Sequence, residues 1–322
     1  MDLSIVFDNL LSPPILFFVV GLTAAAVRSD LEMPQPLPKI MSLFLLLAIG
    51  FKGGAQLRAG GLDLQIVLTL GSAMLMAFAV PIWTYAIVRR RLDPANAAAV
   101  AATYGSISAV TFITAAAMLQ KLGVSYGGHM GEGKERKEVP PMVIAVLLAR
   151  RAGAGVEGAI RWGKLLHEAF LNGPVFLLMG ALVVGGIASQ TATRDVMPIT
   201  EQLFKIVLVL FLLDMGIVAG RQMKALKRAG AFLGAFSIVA PVTHALIGIG
   251  LAGLIGLSPG NAMLLAVLCG SASYIAVPAA MRLAIPQASP GLYVPMALAM
   301  TFPFNIVIGL PLYWSIIRFF WS

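Results

Sequence analysis

Two short stretches of the chain decide its fold. Residues 104–111 read Tyr-Gly-Ser-Ile-Ser-Ala-Val-Thr, and residues 270–278 read Gly-Ser-Ala-Ser-Tyr-Ile-Ala-Val-Pro. Each stretch lies within a long apolar segment, where glycine and proline are expected to interrupt a helix. Gly105 and Gly270 are 165 residues apart, and each is followed by serine at the first and third positions after it. The same interruption therefore occurs twice, at corresponding places in the two halves of the chain.

Other residues recur in the same order at offsets of 160 to 166 residues. An offset that is nearly constant at four places indicates that the chain is a duplication of a five-helix unit. Because five is an odd number of crossings, the second copy must enter the membrane upside down, as in many secondary transporters. The recurring residues are, in order, Pro14 and Pro174, Gly50 and Gly216, Pro81 and Pro241, and Asn96 and Asn261.

The composition predicts a membrane protein. Of the 322 residues 59% are hydrophobic and 11% are charged, whereas soluble domains are about 45–50% apolar and about 25% charged. Segments of about 20 apolar residues are long enough to span a bilayer. The sequence therefore predicts an all-α polytopic membrane protein with about ten transmembrane helices. We place them near residues 12–28, 37–57, 65–88, 95–119, 125–150, 171–189, 199–222, 228–256, 260–284 and 291–320.

The repeat and the loop charges predict how the chain is arranged. Residues 1–151 form the first five-helix repeat, 152–170 a short cytoplasmic linker, and 171–322 the second, inverted repeat. With both termini outside, the inner loops carry about twice as many Lys and Arg residues as the outer loops, which is the bias of cytoplasmic loops. The net charge of +9 is explained by this bias, and we expect no nucleic-acid partner.

The two interruptions are the best candidate for a binding site. A broken helix offers a half-helix N-terminus, which favours an anion, and free carbonyl groups, which favour a cation. Serine and threonine hydroxyls add neutral oxygen ligands. The alternative is that these small residues only permit close helix packing. The candidate substrate-binding residues are Ser106, Ser108, Thr111, Gly270, Ser271 and Ser273.

Few ionisable residues lie within the predicted helices. Asp214 lies in the middle of a segment, and an ionisable residue inside the membrane is a candidate functional residue. It is either a cation ligand or half of a structural pair with Lys52 or Arg221. We expect Lys52 to reach the membrane interface and His244 to be a hydrogen-bonded packing residue.

The sequence carries no enzyme signature. No Walker-type nucleotide loop is found, and Gly-Ser-Ala-Ser is not a nucleophile elbow. The histidines are not at metal-ligand spacing and Cys269 is the only cysteine, so we expect no transition-metal site. The chain is therefore expected to be a transporter that uses an ion gradient or none, and not an enzyme.

The sequence resembles the sodium-dependent bicarbonate transporters of the SbtA type along nearly its whole length. The resemblance runs through residues 48–54, 104–111, 124–126 and 271–282, and continues through Phe302-Pro303-Phe304-Asn305. The family implies two inverted five-helix repeats whose broken helices four and nine cross near the midplane. It implies a homotrimer with an elevator-like core and gate, in the bacterial cytoplasmic (inner) membrane. The implied function is Na⁺-coupled symport of bicarbonate into the cell.

The resemblance also implies ligands and partners. The serines and threonine of the two interruptions line the ligand site, and Na⁺ is the coupling ion. Cyanobacterial members have an acidic residue where Tyr274 stands here, so a carboxylate for Na⁺ has to come from Asp214 or Glu138. Ser108 and Ser273 are the other sodium-binding candidates. In cyanobacterial members a PII-like regulator docks on the cytoplasmic face, but the short linker weakens that expectation here.

Two alternative functions remain open at this point. The first is Na⁺-coupled symport of another small or organic anion on the same scaffold. The second is a membrane sensor or partner-binding protein that does not transport. It is suggested by residues 131–138, where six of eight side chains are charged in a segment that is expected to be apolar.

Overall fold

The computed structural model describes residues 11–34, 36–60, 64–127, 130, 144–145, 147–149, 151–152, 173–226, 230–274 and 276–321. All regular secondary structure in these ranges is helical, as the sequence predicts. Most of the predicted fifth segment, the linker at 152–170 and the charged stretch at 131–138 lie outside the described residues.

Eleven helices of six or more residues are described, numbered here in chain order. The last helix, α11, is α-helical at both ends and contains the π-helical stretches Met296–Thr301 and Asn305–Gly309 on either side of Phe302–Phe304. The helices are α1 (Pro13–Ala26), α2 (Leu37–Gly60), α3 (Leu64–Val88), α4 (Pro94–Gly105), α5 (Ala109–Lys121), α6 (Gly173–Ile187), α7 (Gln190–Leu226), α8 (Gly230–Leu254), α9 (Pro259–Cys269), α10 (Ala276–Ala284) and α11 (Pro290–Phe320).

Local sequence explains where several of these helices begin. Four of them start with a serine or aspartate cap followed by proline, whose missing N–H costs nothing in the first helical turn. At α4 the Asp93 carboxylate accepts hydrogen bonds from the N–H groups of Ala95 and Asn96, at 3.1 and 3.0 Å. The four cap–proline pairs are Ser12-Pro13, Asp93-Pro94, Ser258-Pro259 and Ser289-Pro290.

In the part of the chain that the structure describes, six helical stretches are long and apolar enough to cross a membrane, and three further apolar helices are shorter. One of the six stretches, Pro94–Lys121, contains the interruption between α4 and α5. The chain is therefore a helical membrane protein. The count of ten crossings stays a prediction, since the structure describes little of the fifth segment.

Both predicted interruptions are confirmed. Helix α4 ends at Gly105, and α5 begins at Ala109 after an extended stretch; α9 ends at Cys269, and α10 begins at Ala276. The π-helical stretches of α11 were not predicted. They flank Pro303, which has no N–H to donate to the preceding turn.

Helices α1, α2, α6 and α7 pack mainly with one another through close backbone contacts. On α2, a Cβ atom at Gly50 would lie 2.6 Å from the Leu178 carbonyl oxygen of α6, and one at Gly54 would overlap the Leu182 carbonyl oxygen. Small residues at a helix interface let two backbones approach in this way. These glycines are therefore needed for packing, not for flexibility.

The contact between α1 and α7 repeats this arrangement. A Cβ atom at Gly216 of α7 would overlap the Phe18 carbonyl oxygen of α1, and one at Gly220 would lie 3.3 Å from the Leu22 carbonyl oxygen. The glycines are 166 residues after Gly50 and Gly54, and the facing residues are 160 before Leu178 and Leu182. The division into two five-helix repeats is a proposal, and these matched contacts support it.

Asn96 and Asn261, which also correspond between the halves, each fasten a broken helix to a distant segment. The Asn96 side-chain oxygen accepts the Ser289 N–H at 2.8 Å, just before α11. The Asn261 side-chain oxygen accepts the Gly127 N–H at 2.7 Å, just after α5. The first turns of α4 and α9 are therefore held in corresponding ways.

We expect Gly54→Ala to destabilise the protein, because the added methyl group has no room against the α6 backbone. Overpacking of this kind costs about 1–3 kcal/mol. The matched control is Gly71→Ala on α3, where a Cβ atom meets nothing within 4 Å and alanine is the better helix former. Thermal unfolding in detergent should show a lower midpoint for Gly54→Ala alone; equal midpoints would contradict the close packing.

Candidate functional site

The two interruptions meet inside the bundle and are hydrogen-bonded to each other. The Ser108 N–H donates to the Ser271 Oγ at 3.1 Å, and the Ser273 N–H donates to the Thr103 carbonyl oxygen at 2.9 Å. Ser108 and Ser273 are the third residues after Gly105 and Gly270. Corresponding serines of the two halves thus use their backbone N–H groups to bind the opposite interruption.

The serines that make this junction are buried and partly engaged by the protein itself. Ser108 caps α5, because its Oγ accepts the Thr111 N–H at 3.2 Å. The Ser273 Oγ lies 3.5 Å from the Val277 nitrogen at the start of α10. Ser108, Ser271 and Ser273 are each no more than 3% exposed. Their hydroxyls position the ends of the broken helices as well as facing the junction.

Two other hydroxyls of the predicted site do not position a helix end. The Ser106 Oγ and the Thr111 Oγ1 are buried and have no hydrogen-bond partner among the described residues. The large majority of buried side-chain polar atoms have a partner, and leaving one unmade costs about 1–3 kcal/mol. Two unsatisfied hydroxyls beside one helix N-terminus are therefore candidates for contact with a ligand.

The start of α5 adds backbone donors to these hydroxyls. The Ser108 Oγ accepts the Thr111 N–H and the Ser108 carbonyl oxygen accepts the Phe112 N–H. No hydrogen bond from the N–H groups of Ala109 and Val110 is found among the described residues. The first N–H groups of a helix carry partial positive charge and favour an anion. The arrangement can hold a small anion with neutral donors alone.

Asn305 belongs to the site, although its role was not predicted. Its side-chain nitrogen donates to the Gly270 carbonyl oxygen at 2.8 Å, and its side-chain oxygen accepts the Tyr313 hydroxyl at 2.9 Å. One lone pair of the Gly270 oxygen is thereby used, and one remains for a ligand. The available signal was a lone asparagine in an apolar helix next to Pro303.

A second buried chain of hydrogen bonds holds the end of α4. Thr301 of α11 donates to the Ser237 carbonyl oxygen at 2.7 Å, which leaves the Tyr104 hydroxyl to donate to the Thr301 Oγ1 at 2.8 Å. Tyr104 directly precedes Gly105, so these hydrogen bonds fix the point at which α4 ends. It was not predicted, because it joins three helices that are distant in sequence.

Asp214 is a buried carboxylate on α7 whose nearest counter-charge among the described residues, Arg221, is not in contact with it. It is 6% exposed and makes no hydrogen bond or close ion pair there. Neither predicted partner forms a close ion pair with it. The Lys52 Nζ lies 2.6 Å from Glu201, and Arg221 lies 3.5 Å from Glu32. Arg221 still attracts Asp214 electrostatically from a greater distance, so the structural-pair interpretation keeps that one partner and loses Lys52.

Met215, the residue after Asp214, contacts the second interruption. The Tyr274 hydroxyl lies 3.9 Å from the Met215 Sδ, and the Tyr274 ring packs on Phe302 with centroids 5.6 Å apart. Helix α7 therefore passes the junction at the level of Asp214. The other carboxylate candidate, Glu138, lies outside the described residues.

His244 is hydrogen-bonded, as predicted. Its Nε2 accepts the Trp83 indole N–H at 2.9 Å, and the two rings lie with centroids 5.7 Å apart. The pair joins α3 to α8 next to Pro81 and Pro241. This histidine is part of the packing between those helices.

Interrupted helices that meet inside an apolar helical bundle characterise secondary transporters. The family model of the Na⁺-dependent bicarbonate transporter superfamily matches residues 13–318, nearly the whole chain. The chain belongs to this superfamily. A comparison with curated proteins gives no match.

We expect Ser271→Ala to lower stability, because it removes the acceptor of the buried Ser108 N–H and leaves that donor unpaired, at about 1–3 kcal/mol. Ser106→Ala is the matched control. It deletes a hydroxyl that has no partner, so its unfolding midpoint should equal that of the parent protein. Thermal unfolding of the two purified variants makes the comparison, and equal loss in both would mean that the junction bond is unimportant.

Proposed function

We propose that the protein is a Na⁺-coupled symporter that carries bicarbonate into the cell. Membership of the superfamily supports transport of bicarbonate with Na⁺. The observation that carries the proposal is the pair of unsatisfied buried hydroxyls, Ser106 and Thr111, beside the N-terminus of α5.

The donors at this site suit bicarbonate chemically. The anion is small and carries one negative charge on oxygens that accept hydrogen bonds from hydroxyl and backbone N–H groups. Its own O–H can donate to a carbonyl oxygen, such as the free lone pair of Gly270. Neutral donors bind such an anion without a fixed cation, so it can be released on the other side of the membrane.

Na⁺ is the proposed coupling ion because the same region supplies oxygen ligands. The candidates are the carboxylate of Asp214 and the oxygens of Ser108 and Ser273. A buried carboxylate without a close ion pair is costly in a membrane, and a bound cation would offset that cost more directly than the distant Arg221 does. A bound cation near the junction also favours binding of the anion, which couples the two substrates.

The wider arrangement is part of the same proposal. Helices α1, α2, α6 and α7 would form the gate and the remaining helices the moving core of an elevator-like homotrimer. The protein would lie in the bacterial inner membrane with both termini outside, according to the loop charges. Docking of a PII-like regulator on the cytoplasmic face is a weaker expectation, because the linker is short.

Transport of labelled bicarbonate into proteoliposomes tests the proposal. Uptake should follow an inward Na⁺ gradient and fail with K⁺, because the superfamily is Na⁺-dependent. Ser106→Ala is the informative variant, since it should fold normally but lose at least half of its uptake. Equal rates in Na⁺ and K⁺ would exclude the coupling. If another anion competes with bicarbonate for uptake, that anion is a different substrate. If the purified protein is stably folded but takes up no bicarbonate, the alternative function as a membrane sensor is favoured.

For Asp214→Asn we expect a weaker apparent Na⁺ affinity, by at least about tenfold, which corresponds to about 1.4 kcal/mol. Asparagine has nearly the same shape but lacks the charge that attracts the cation. The measurement is bicarbonate uptake as a function of Na⁺ concentration, with the unfolding midpoint as a check on assembly. An unchanged Na⁺ dependence would remove Asp214 from the cation site.

A further inference from the structure

A cavity of about 670 Å³ lies between the two groups of helices. On one side it is lined by the start of α1, by Lys52 of α2 and by residues of α7. On the other side it is lined by the end of α5, by residues 123–126 and by Leu310 of α11. Since a water molecule occupies about 30 Å³ in the liquid, there is room for a small anion with its hydration shell.

The cavity leads towards the junction of the broken helices along two elements. Thr114 lines the cavity and is six residues after Ser108 on α5, or about 9 Å along the helix axis at 1.5 Å per residue. Leu310 lines it and is five residues, about one π-helical turn, after Asn305 on α11. The cavity is therefore within two helical turns of the ligand candidates, on the side where α1 begins.

The ionisable side chains that line the cavity are mainly cationic. Among the described lining residues, Lys52, Lys121 and Lys205 face a single carboxylate, Glu201. Glu201 is held by Lys52, with the Nζ and Oε1 atoms 2.6 Å apart. Lys205 lies one turn further along α7, is exposed, and has no ion pair among the described residues. Its positive charge is therefore available to an anion in the cavity.

We propose that this cavity is an anion-collecting vestibule centred on Lys205, which concentrates a small anion before it reaches the junction. That the anion is bicarbonate rests on the proposed function. A concave surface with one sign of charge raises the local concentration of the opposite ion and speeds its arrival. Glu201 limits this positive field by neutralising Lys52. Lys205 therefore raises the concentration of an anion in the cavity, and Glu201 lowers it.

The electrostatic part of the proposal can be tested without transport. Ser125, an exposed residue of the cavity lining, is changed to cysteine, and its modification by an anionic and a cationic methanethiosulfonate reagent is timed at low salt. Each rate is divided by the rate with a free thiol. Cys269, the only native cysteine, is buried, and the parent protein measures its background.

In the Ser125→Cys protein the anionic reagent should react faster than the cationic reagent, once each rate is divided by the rate with a free thiol. Adding Lys205→Gln should lower the anionic-to-cationic ratio about fourfold, as Coulomb's law gives for unit charges about 10 Å apart in water. Adding Glu201→Gln should raise the ratio. The control is Lys39→Gln, which removes the same charge about 20 Å from Lys52 along α2 and should change the ratio by about twofold at most, clearly less than Lys205→Gln does. High salt should abolish all differences.

Two results would overturn the vestibule. One is a ratio that Lys205→Gln leaves unchanged, and the other is a shift in the same direction for Lys205→Gln and Glu201→Gln. Because labelling needs no transport, the expected pattern without bicarbonate uptake would reject the proposed function and keep the vestibule. Na⁺-dependent uptake without the expected labelling pattern would keep the proposed function and reject the vestibule. In uptake itself, Lys205→Gln should raise the KM for bicarbonate at low salt and leave the maximal rate unchanged.

Discussion

The structure depends on the hydrogen bonds that join its two interrupted helices. Breaking a helix inside a membrane exposes backbone groups that lipid cannot satisfy, so each interruption needs partners within the protein. The Ser108 N–H and the Ser273 N–H obtain them from the opposite interruption. Each break is therefore tolerated because the other break lies against it. The polar centre of the protein follows from this mutual satisfaction.

The surrounding helices bury this junction and hold it in place. Asn96 and Asn261 fasten the outer ends of the broken helices, and Asn305 and Tyr104 fix the inner ends. The hydroxyls of Ser106 and Thr111 have no such role among the described residues, which is why they are the candidates for contact with a ligand.

Charge is distributed unequally along the route to the junction. The cavity beside Lys205 carries cationic groups at its surface, the junction offers neutral donors, and Asp214 is a buried carboxylate at the level of the junction. In the proposed mechanism an anion would move along this route from a screened positive region to a site with no fixed positive charge among the described residues. A cation bound near Asp214 would favour binding of the anion there, which would couple the two ions.

The amino-acid sequence by itself determined the helical class, the positions of the two interruptions and the residues that recur between the halves. These features depend on local composition and on spacing along the chain, and all of them can be read without knowing how helices pack. The serines and threonine of the candidate site could be predicted for the same reason, because they lie within the interruptions.

Only the tertiary structure decided which of these side chains meet. Lys52 pairs with Glu201 and not with Asp214, and Asn305 binds Gly270, because partners across helices depend on the rotation and depth of each helix. Those are set by close backbone contacts at Gly50, Gly54 and Gly216. A one-residue change in helix register turns a side chain by about 100°, from one neighbour to another, and spacing along the chain carries no information about that choice.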